Sequence, residues 1–548
     1  MSRPPFRHPV WYLLAGHFLL GLAHVAMLPP WEGFDETAHY SYLQQLADTR
    51  TLPRWGDRMS KAVEEYAFAA PLPYTSVAPF EANGGLTYRA LFLTSSPEAV
   101  SRATALVHRR PSAPWRYVPG TKWNWEAHHP PLYYLALAPV YLATRQLSWG
   151  VHLFSLRFTS YLMAWVALIL GVYAAATADA SAFAGSRSSQ EAAILGIGLW
   201  PVLMPSWFPD MARLGNDSLS ALILAGVWLV SVRAVSRGLS IGHVMALGAL
   251  LGAGCLTKAF FLPVTVGMLG FWSFGMREPT GARVLASRPF QMIVLLLAVT
   301  SIAGWWYAGH WRPTGVAVGL HQAFARALLD KFSVAQWLRG HAALLTSIAW
   351  CGTWSLARPA YLFLAPLAGM VLLVGGAYAS ALRRFPARSV VWLPAWLVAP
   401  LTLGLSYEVL VRLAWNGEGR GVNGYYLHFL APALGTAVGV GLGTQWSRGA
   451  FRRVVAGLTV YALLFEVAVS WAQVMLFSGW LFKSGSSPFY QSPDPLPFFL
   501  GLPDALARLA VLAYPLVGAT AWVAGGALVL GGLLAAWRAS ASFAHPGP

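Results

Sequence analysis

"PVWYLLAGHFLLGLAHVAMLPPWEGFDETAHYSYLQQLAD" runs from Pro9 to Asp48 and joins two unlike halves. Pro9 to Leu28 is an apolar run long enough, at about 1.5 Å per helical residue, to cross a hydrocarbon layer of about 30 Å. Directly after it stand Glu32, Asp35 and Glu36, with His39 one helical turn further on, in a chain with only 21 acidic residues among 548. A membrane span that opens onto a concentrated patch of titratable groups sets both the fold class and the place to look for chemistry.

Hydrophobic residues make up 56% of the chain and charged residues 11%. The mean hydropathy is +0.51. These values exclude an ordinary soluble domain. The apolar runs are continuous, whereas a membrane barrel needs alternating segments of about ten residues. We therefore expect an all-α polytopic protein. The net charge of +17 lies largely in short connectors such as "RAVSRGLSIGH" (233–243), "MREPTGARVLASR" (276–288), "RRFPAR" (383–388) and "SRGAFRR" (447–453). Short basic loops face the cytoplasm, so no nucleic-acid partner is expected. The two cysteines, Cys255 and Cys351, lie in apolar segments and imply no disulfide framework. "MSRPPFRH" before the first apolar run looks like the start of a signal peptide, but no small-residue cleavage site follows, so the run is taken as an uncleaved span.

With the basic loops inside, about 12 spans are expected, near 9–28, 155–178, 190–208, 216–233, 241–258, 260–275, 289–308, 358–381, 389–409, 425–445, 453–476 and 509–537, with both termini cytoplasmic. The whole chain, 1–548, reads as one integral membrane domain with outer loops at 29–154, 309–357 and 477–508. The first of these holds 10 of the 21 acidic residues up to residue 130. Two short apolar stretches, 131–147 and 342–355, fit the topology only as juxtamembrane or re-entrant helices on the outer side. "LGTAVGVGLG" (434–443) has no strand before it, and its Gly435, Gly439 and Gly443 recur every four residues. That spacing is a helix-packing seam, not a phosphate loop.

Four clusters carry candidate chemistry. Asp35 and Glu36 open a helix, where Asp35 serves either as a simple N-cap or as a reactive carboxylate that shares a face with His39. "WNWEAHHPP" places Glu126, His128 and His129 before a Pro-Pro pair, and the adjacent imidazoles suit phosphate binding, proton donation or a metal. A divalent metal held by Glu36, His39 and His128 is left open on those residue types. "PDMARLGNDSLS" (209–220) brings Arg213, Asn216 and Asp217 to the start of a span, where Asp217 is either a helix cap or a site acid. Lys258 in "GAGCLTKAFFLP" sits in an outer turn, either snorkelling or binding an anion. Arg157, Arg412 and Arg420 add positive charge on the same side. Carboxylates, histidines and cations together suit a lipid phosphate: cations stabilise a departing phosphate while a carboxylate takes a proton.

In order, "EGFDETAHYSYLQQLADTRTLP", "HHPPLYYLALAP", Arg157, "ARLGNDSL" and "GCLTKAFFLP" resemble the GT-C superfamily of polyprenyl-phosphate-dependent membrane glycosyltransferases, especially bacterial relatives of protein O-mannosyltransferases and aminoarabinose transferases. The likeness covers roughly the first half of the chain. It implies Asp35 as general base of an inverting transfer, Glu36 beside it orienting substrate or metal, and His128, His129, Arg157, Arg213, Lys258 and Arg420 around the donor phosphate. His39, Asn216, Asp217 and Tyr425 complete the implied site. Where relatives carry an Arg-Tyr pair opening a late span, this chain has "NGYYLHF", with Arg420 only nearby.

The expected activity is transfer of a sugar from a polyprenyl phosphate to an acceptor hydroxyl on a glycan, lipid or protein, at the outer face of a bacterial plasma membrane. The alternatives are a polyprenyl-lipid or glycan flippase, which would need the cations but no base, and a non-catalytic envelope scaffold, in which Asp35 would be replaceable. Neither the sugar nor the acceptor follows from the sequence.

Overall fold

The computed structural model describes residues 8–66, 70–73, 86–275, 287–314, 330–356, 361–445, 448–483, 490–492 and 501–539. Most of them are helical. Helices α1 (Val10–Met27), α2 (Glu36–Thr49), α3 (Leu132–Thr144), α4 (Trp149–Thr177), α5 (Arg187–Leu203), α6 (Trp207–Ala212), α7 (Asp217–Arg237), α8 (Ile241–Cys255) and α9 (Phe261–Gly275) build the first half. Helices α10 (Arg288–Thr314), α11 (Val334–Thr346), α12 (Tyr361–Leu382), α13 (Leu393–Asn416), α14 (Ala431–Gln445), α15 (Arg448–Phe477) and α16 (Pro515–Ala539) build the second. Among the described residues nine helices are long and apolar enough to cross a membrane. The other three expected spans correspond to α5, α8 and α9, of 17, 15 and 15 residues. Their shortness has local causes. α5 contains Pro201 and stops before Pro205, after which α6 starts on a new axis and carries Asp210. α8 and α9 are separated by the turn that presents Lys258.

Glycine sets the closest helix contacts. A methyl group on Gly435 would fall 2.5 Å from Ile197 Cα, and one on Gly439 would overlap the Ala192 carbonyl oxygen, so α14 and α5 meet backbone to backbone along the expected seam. α1 and α16 make a second such contact. Gly518, Gly525 and Gly532 lie seven residues apart on α16, and added methyls there would strike Met27, Gly16 and Leu13.

Two sequence expectations change. The stretch 342–355 is not one re-entrant helix: α11 ends at Thr346, a single 3₁₀ turn covers Ser347–Ala349, and 350–356 is irregular. Gly352 requires φ +72° there and packs against the backbone of Pro209, with no room for a side chain. The last span begins at Pro515 and not near 509, because a separate helix, Leu502–Leu509, precedes it. Parts of the 276–288 and 447–453 connectors and of the 309–357 and 477–508 loops lie outside the described residues. The small strands β1 (Arg58–Ser60) and β2 (Pro119–Trp123) pair antiparallel, with Arg58 opposite Trp123. This ribbon docks on α2 through Ser60, whose N–H donates to Ser41 Oγ at 3.0 Å, and Asn124, whose side chain donates to the Ala38 carbonyl.

Candidate active site

From Leu28 to Leu46 every residue is buried except Asp35, which is half-buried. Asp35 occupies the N-cap position of α2, yet its side chain makes no capping hydrogen bond. Its backbone is left-handed, φ 59° and ψ 9°. Such a conformation is uncommon outside glycine, with Asp among the residues that tolerate it best. The capping explanation therefore fails. The carboxylate instead receives the indole N–H of Trp125 on Oδ1 at 3.1 Å. Burial raises its pKa above the usual carboxylate range, while Arg213 and Lys258 pull it back down.

Glu36, the next residue, has a different environment. Arg157 donates Nε to Oε1 at 2.8 Å and Nη2 to Oε2 at 2.5 Å, while the N–H groups of Gly33 and Leu214 supply two more bonds. Arg157 also donates to the carbonyls of Leu28 and Pro29. Both side chains are almost wholly buried. Glu36 and Arg157 thus form a strut that holds the first loop against α4. Their expected places as orienting acid, phosphate contact or metal ligand would compete with this pairing.

A second buried network crosses from α6 to the α8–α9 turn. Arg213 donates Nε to Asp210 Oδ1 at 3.0 Å, Nη1 to the Phe34 carbonyl at 2.9 Å and Nη2 to Asp217 Oδ2 at 2.9 Å. Asp217 also receives Lys258 Nζ on its other oxygen at 2.5 Å. Asp217 starts α7 and makes no cap bond; the N-cap is Asn216. Asp210 lies 3.4 Å from His428 Nδ1, which extends the network to the late helices. The Arg213 guanidinium lies 5.4 Å from the Tyr425 ring, which stacks on Phe34. Tyr425 is therefore a buried support, and the half-buried Tyr426 is the one beside Lys258, 4.5 Å from Nζ. Arg420 is exposed and lies outside this buried network.

The histidine segment closes the site. Glu126 Oε2 lies 3.0 Å from His129 Nδ1 and 3.7 Å from His39 Nδ1. The Asn216 side-chain N–H donates to His129 Nδ1 at 2.7 Å, and the Tyr134 hydroxyl lies 2.8 Å from His39 Nδ1. Burial, then repulsion from Asp35, pushes the Glu126 carboxyl well up, and burial lowers both imidazoles well below their usual value. Of the two neighbouring carboxyls, Glu126 is buried and Asp35 is half-buried. His128 is exposed, with Nδ1 at 2.5 Å from the Trp125 carbonyl. Among the described residues no group of three His, Cys, Asp or Glu side chains has metal-holding geometry. Glu36, His39 and His128 form no such group.

Glu32, passed over in the sequence, is a clamp. It accepts the Tyr88 hydroxyl at 2.7 Å and both the N–H (3.0 Å) and hydroxyl (2.6 Å) of Ser355, and burial lifts its pKa to about 7. It ties the first loop to the 350–356 segment, where Gly33 bridges Thr353. Asp210 had a sequence signal, standing three residues before Arg213. His428 and Ser355 had none, because they come from distant parts of the chain.

No protein-family profile matches the chain, and no curated protein matches it. Solved structures do. ArnT from Cupriavidus metallidurans bound to undecaprenyl phosphate is 14% identical with a TM-score of 0.44, covering 97% of this chain and 79% of that one. The Archaeoglobus fulgidus oligosaccharyltransferase in its apo form is 12% identical with a TM-score of 0.37, covering 95% and 56%. The same archaeal AglB with an inhibitory peptide and a dolichol-phosphate gives 12% and 0.32. These proteins are polyprenyl-phosphate-dependent glycosyltransferases of the GT-C type. At such identities and scores the likeness concerns the course of the chain and leaves function to the side chains.

Proposed function

We propose that the protein is a membrane glycosyltransferase that moves a sugar from a polyprenyl phosphate to an acceptor hydroxyl, with Asp35 as general base. The observation that carries this is the contrast within one buried loop: Asp35 alone stays half-open, and its carboxylate caps no helix but faces the Trp125 indole. A base must reach its substrate. Asp35 takes the acceptor proton as the acceptor oxygen attacks the anomeric carbon. The bond from that carbon to the phosphate oxygen breaks, its electrons leave with the polyprenyl phosphate, and the anomeric configuration inverts. Lys258, with His129 and His128 at the rim, is placed to stabilise the departing phosphate. Arg213 acts through Asp217 and the Phe34 carbonyl as a positioning residue.

A flippase would need ionisable groups along a path through the bundle, whereas these clusters gather where the first loop meets the starts of α7 and α9. On this reading the site faces the outside of a bacterial plasma membrane, with both termini cytoplasmic. The test is reconstitution with a panel of polyprenyl-phosphate sugars. Turnover by wild type and its loss in Asp35→Asn supports the assignment. Equal turnover by the variant would overturn the base, and no turnover with any donor would favour the flippase or scaffold.

A further inference from the structure

Beside Asp35 lies a pair of exposed indoles, Trp55 and Trp123, that the proposed chemistry does not use. Trp55 and Trp123 are 49% and 38% exposed. They lie on the ribbon segments, outside the apolar helices whose exposed side chains meet lipid. Trp55 is presented by the turn Arg54–Asp57, closed by a 2.9 Å backbone bond and made possible by Gly56 at φ +96°. Trp123 ends β2. The two rings meet at 71° with centroids 4.7 Å apart, and His128 meets Trp55 at 67° and 5.8 Å. In an edge-to-face pair the ring presenting its edge keeps both faces clear of its partner. Along Trp123–His129 the exposed residues are Trp123 and His128, while Asn124, Glu126 and Ala127 are buried. Trp125, between them, joins the patch to the base through its N–H bond to Asp35.

We propose that Trp55, Trp123 and His128 form a carbohydrate-binding platform that carries a glycan acceptor up to Asp35. This rests on the transfer reading above and names its acceptor class. A pyranose ring has an apolar C–H face and a rim of hydroxyls. The ribbon offers the matching pair: flat indoles near the Arg58 guanidinium, which donates to the Thr121 carbonyl, and the Glu64 carboxylate, which accepts from Thr121. An interfacial tryptophan belt would also hold indoles. A headgroup surface would engage Arg54, Arg58, Lys61 and Lys122 of the same region as well as the indoles, so quenching by brominated lipid separates that occupant from a saccharide.

The test measures saccharide binding apart from turnover. Asp35→Asn protein in nanodiscs is titrated with linear pentasaccharides of glucose, N-acetylglucosamine and mannose, followed by tryptophan fluorescence. We expect at least one to bind, to weaken at least ten-fold in W55A/W123A, and to be restored by W55F/W123F, with thermal unfolding unchanged in all three. No binding by any of them, or binding unaffected by the alanines, would overturn the platform. So would quenching of Trp55 and Trp123 by brominated lipids, which would place them in the membrane interface. Wild-type transfer from the donor panel is assayed in parallel. Saccharide binding without transfer sinks the enzyme reading and leaves the platform standing; transfer with alanine-insensitive binding does the reverse.

Discussion

Asp35 and Glu36 share a peptide bond, yet Glu36 gives both oxygens to Arg157 and two backbone N–H groups, while Asp35 holds one indole N–H and stays half-open. The same division runs through the whole site. Arg157, Arg213, Asp210 and Asp217 are sealed and mutually neutralised. Asp35, Tyr426 and His129 are half-buried and His128 is exposed. Buried charges here serve as framework, because a desolvated ion with every donor matched is stable only as part of its pair. The few groups left partly wet can meet a substrate directly, and Lys258, buried on Asp217, lies behind them beside half-buried Tyr426. Charge density alone therefore does not locate reactivity.

That division can be broken most sharply at its centre. Asp35→Asn should cut transfer by about 10²–10⁴-fold, the range for losing a general base, with no change in thermal unfolding. Glu36→Ala should do the converse, costing about 3–5 kcal/mol of stability by leaving Arg157 buried and unpaired, measured as a fall in melting temperature and folded yield. If Glu36→Ala instead folded normally and lost only turnover, the framework assignment would be wrong.

Lys258→Met tests the border between the two classes. Asp217 keeps Arg213, so the fold should survive, while donor turnover falls by about 10–100-fold, the worth of one charged hydrogen bond in the transition state. Initial rates over a range of donor concentration would check this.

The smallest effect belongs to pH. Burial raises the Asp35 carboxyl, so the acid limb of the rate profile should lie above the ordinary carboxylate range, with activity rising as the base ionises. Glu32 acts on stability with the opposite sense. Its pKa goes from 4.5 to about 7 on folding, so its contribution is full below pH 4.5 and is lost as pH rises through about 7. Melting temperatures of wild type across that window should tilt downward with pH, and Glu32→Gln should remove part of the tilt. A wild-type profile that rose over the same range would contradict the buried-clamp assignment.

Much of the frame was legible because apolar runs and glycine spacing act locally. Each of the 12 expected spans finds a helix, and the Gly435–Gly439 seam is where its spacing put it. The breaks were less visible. Pro201 and Pro205 interrupt what hydropathy reads as one run, and a hydropathy average does not register where an axis turns. Within the site the sequence named the right segments but could not rank their residues. Asp35 and Glu36 are equally acidic, and only the approach of Arg157 from α4 separates them. Glu32 drew no role from the sequence because its partners Tyr88 and Ser355 lie 56 and 323 residues away.

The glycine contact between α1 and α16 has a consequence for biosynthesis. The loop that bears Asp35 hangs from α1, and α1 finds its closest partner only when Gly518 to Gly532 have been made. At about 5–20 residues per second, the ribosome takes on the order of a minute to cover that stretch. Through that interval the first helix is held to α4 by the Tyr161 and Trp165 bonds to its carbonyls but keeps the flank that α16 will cover exposed, so an insertase or chaperone able to shelter that flank would be expected to govern yield more than any residue of the site.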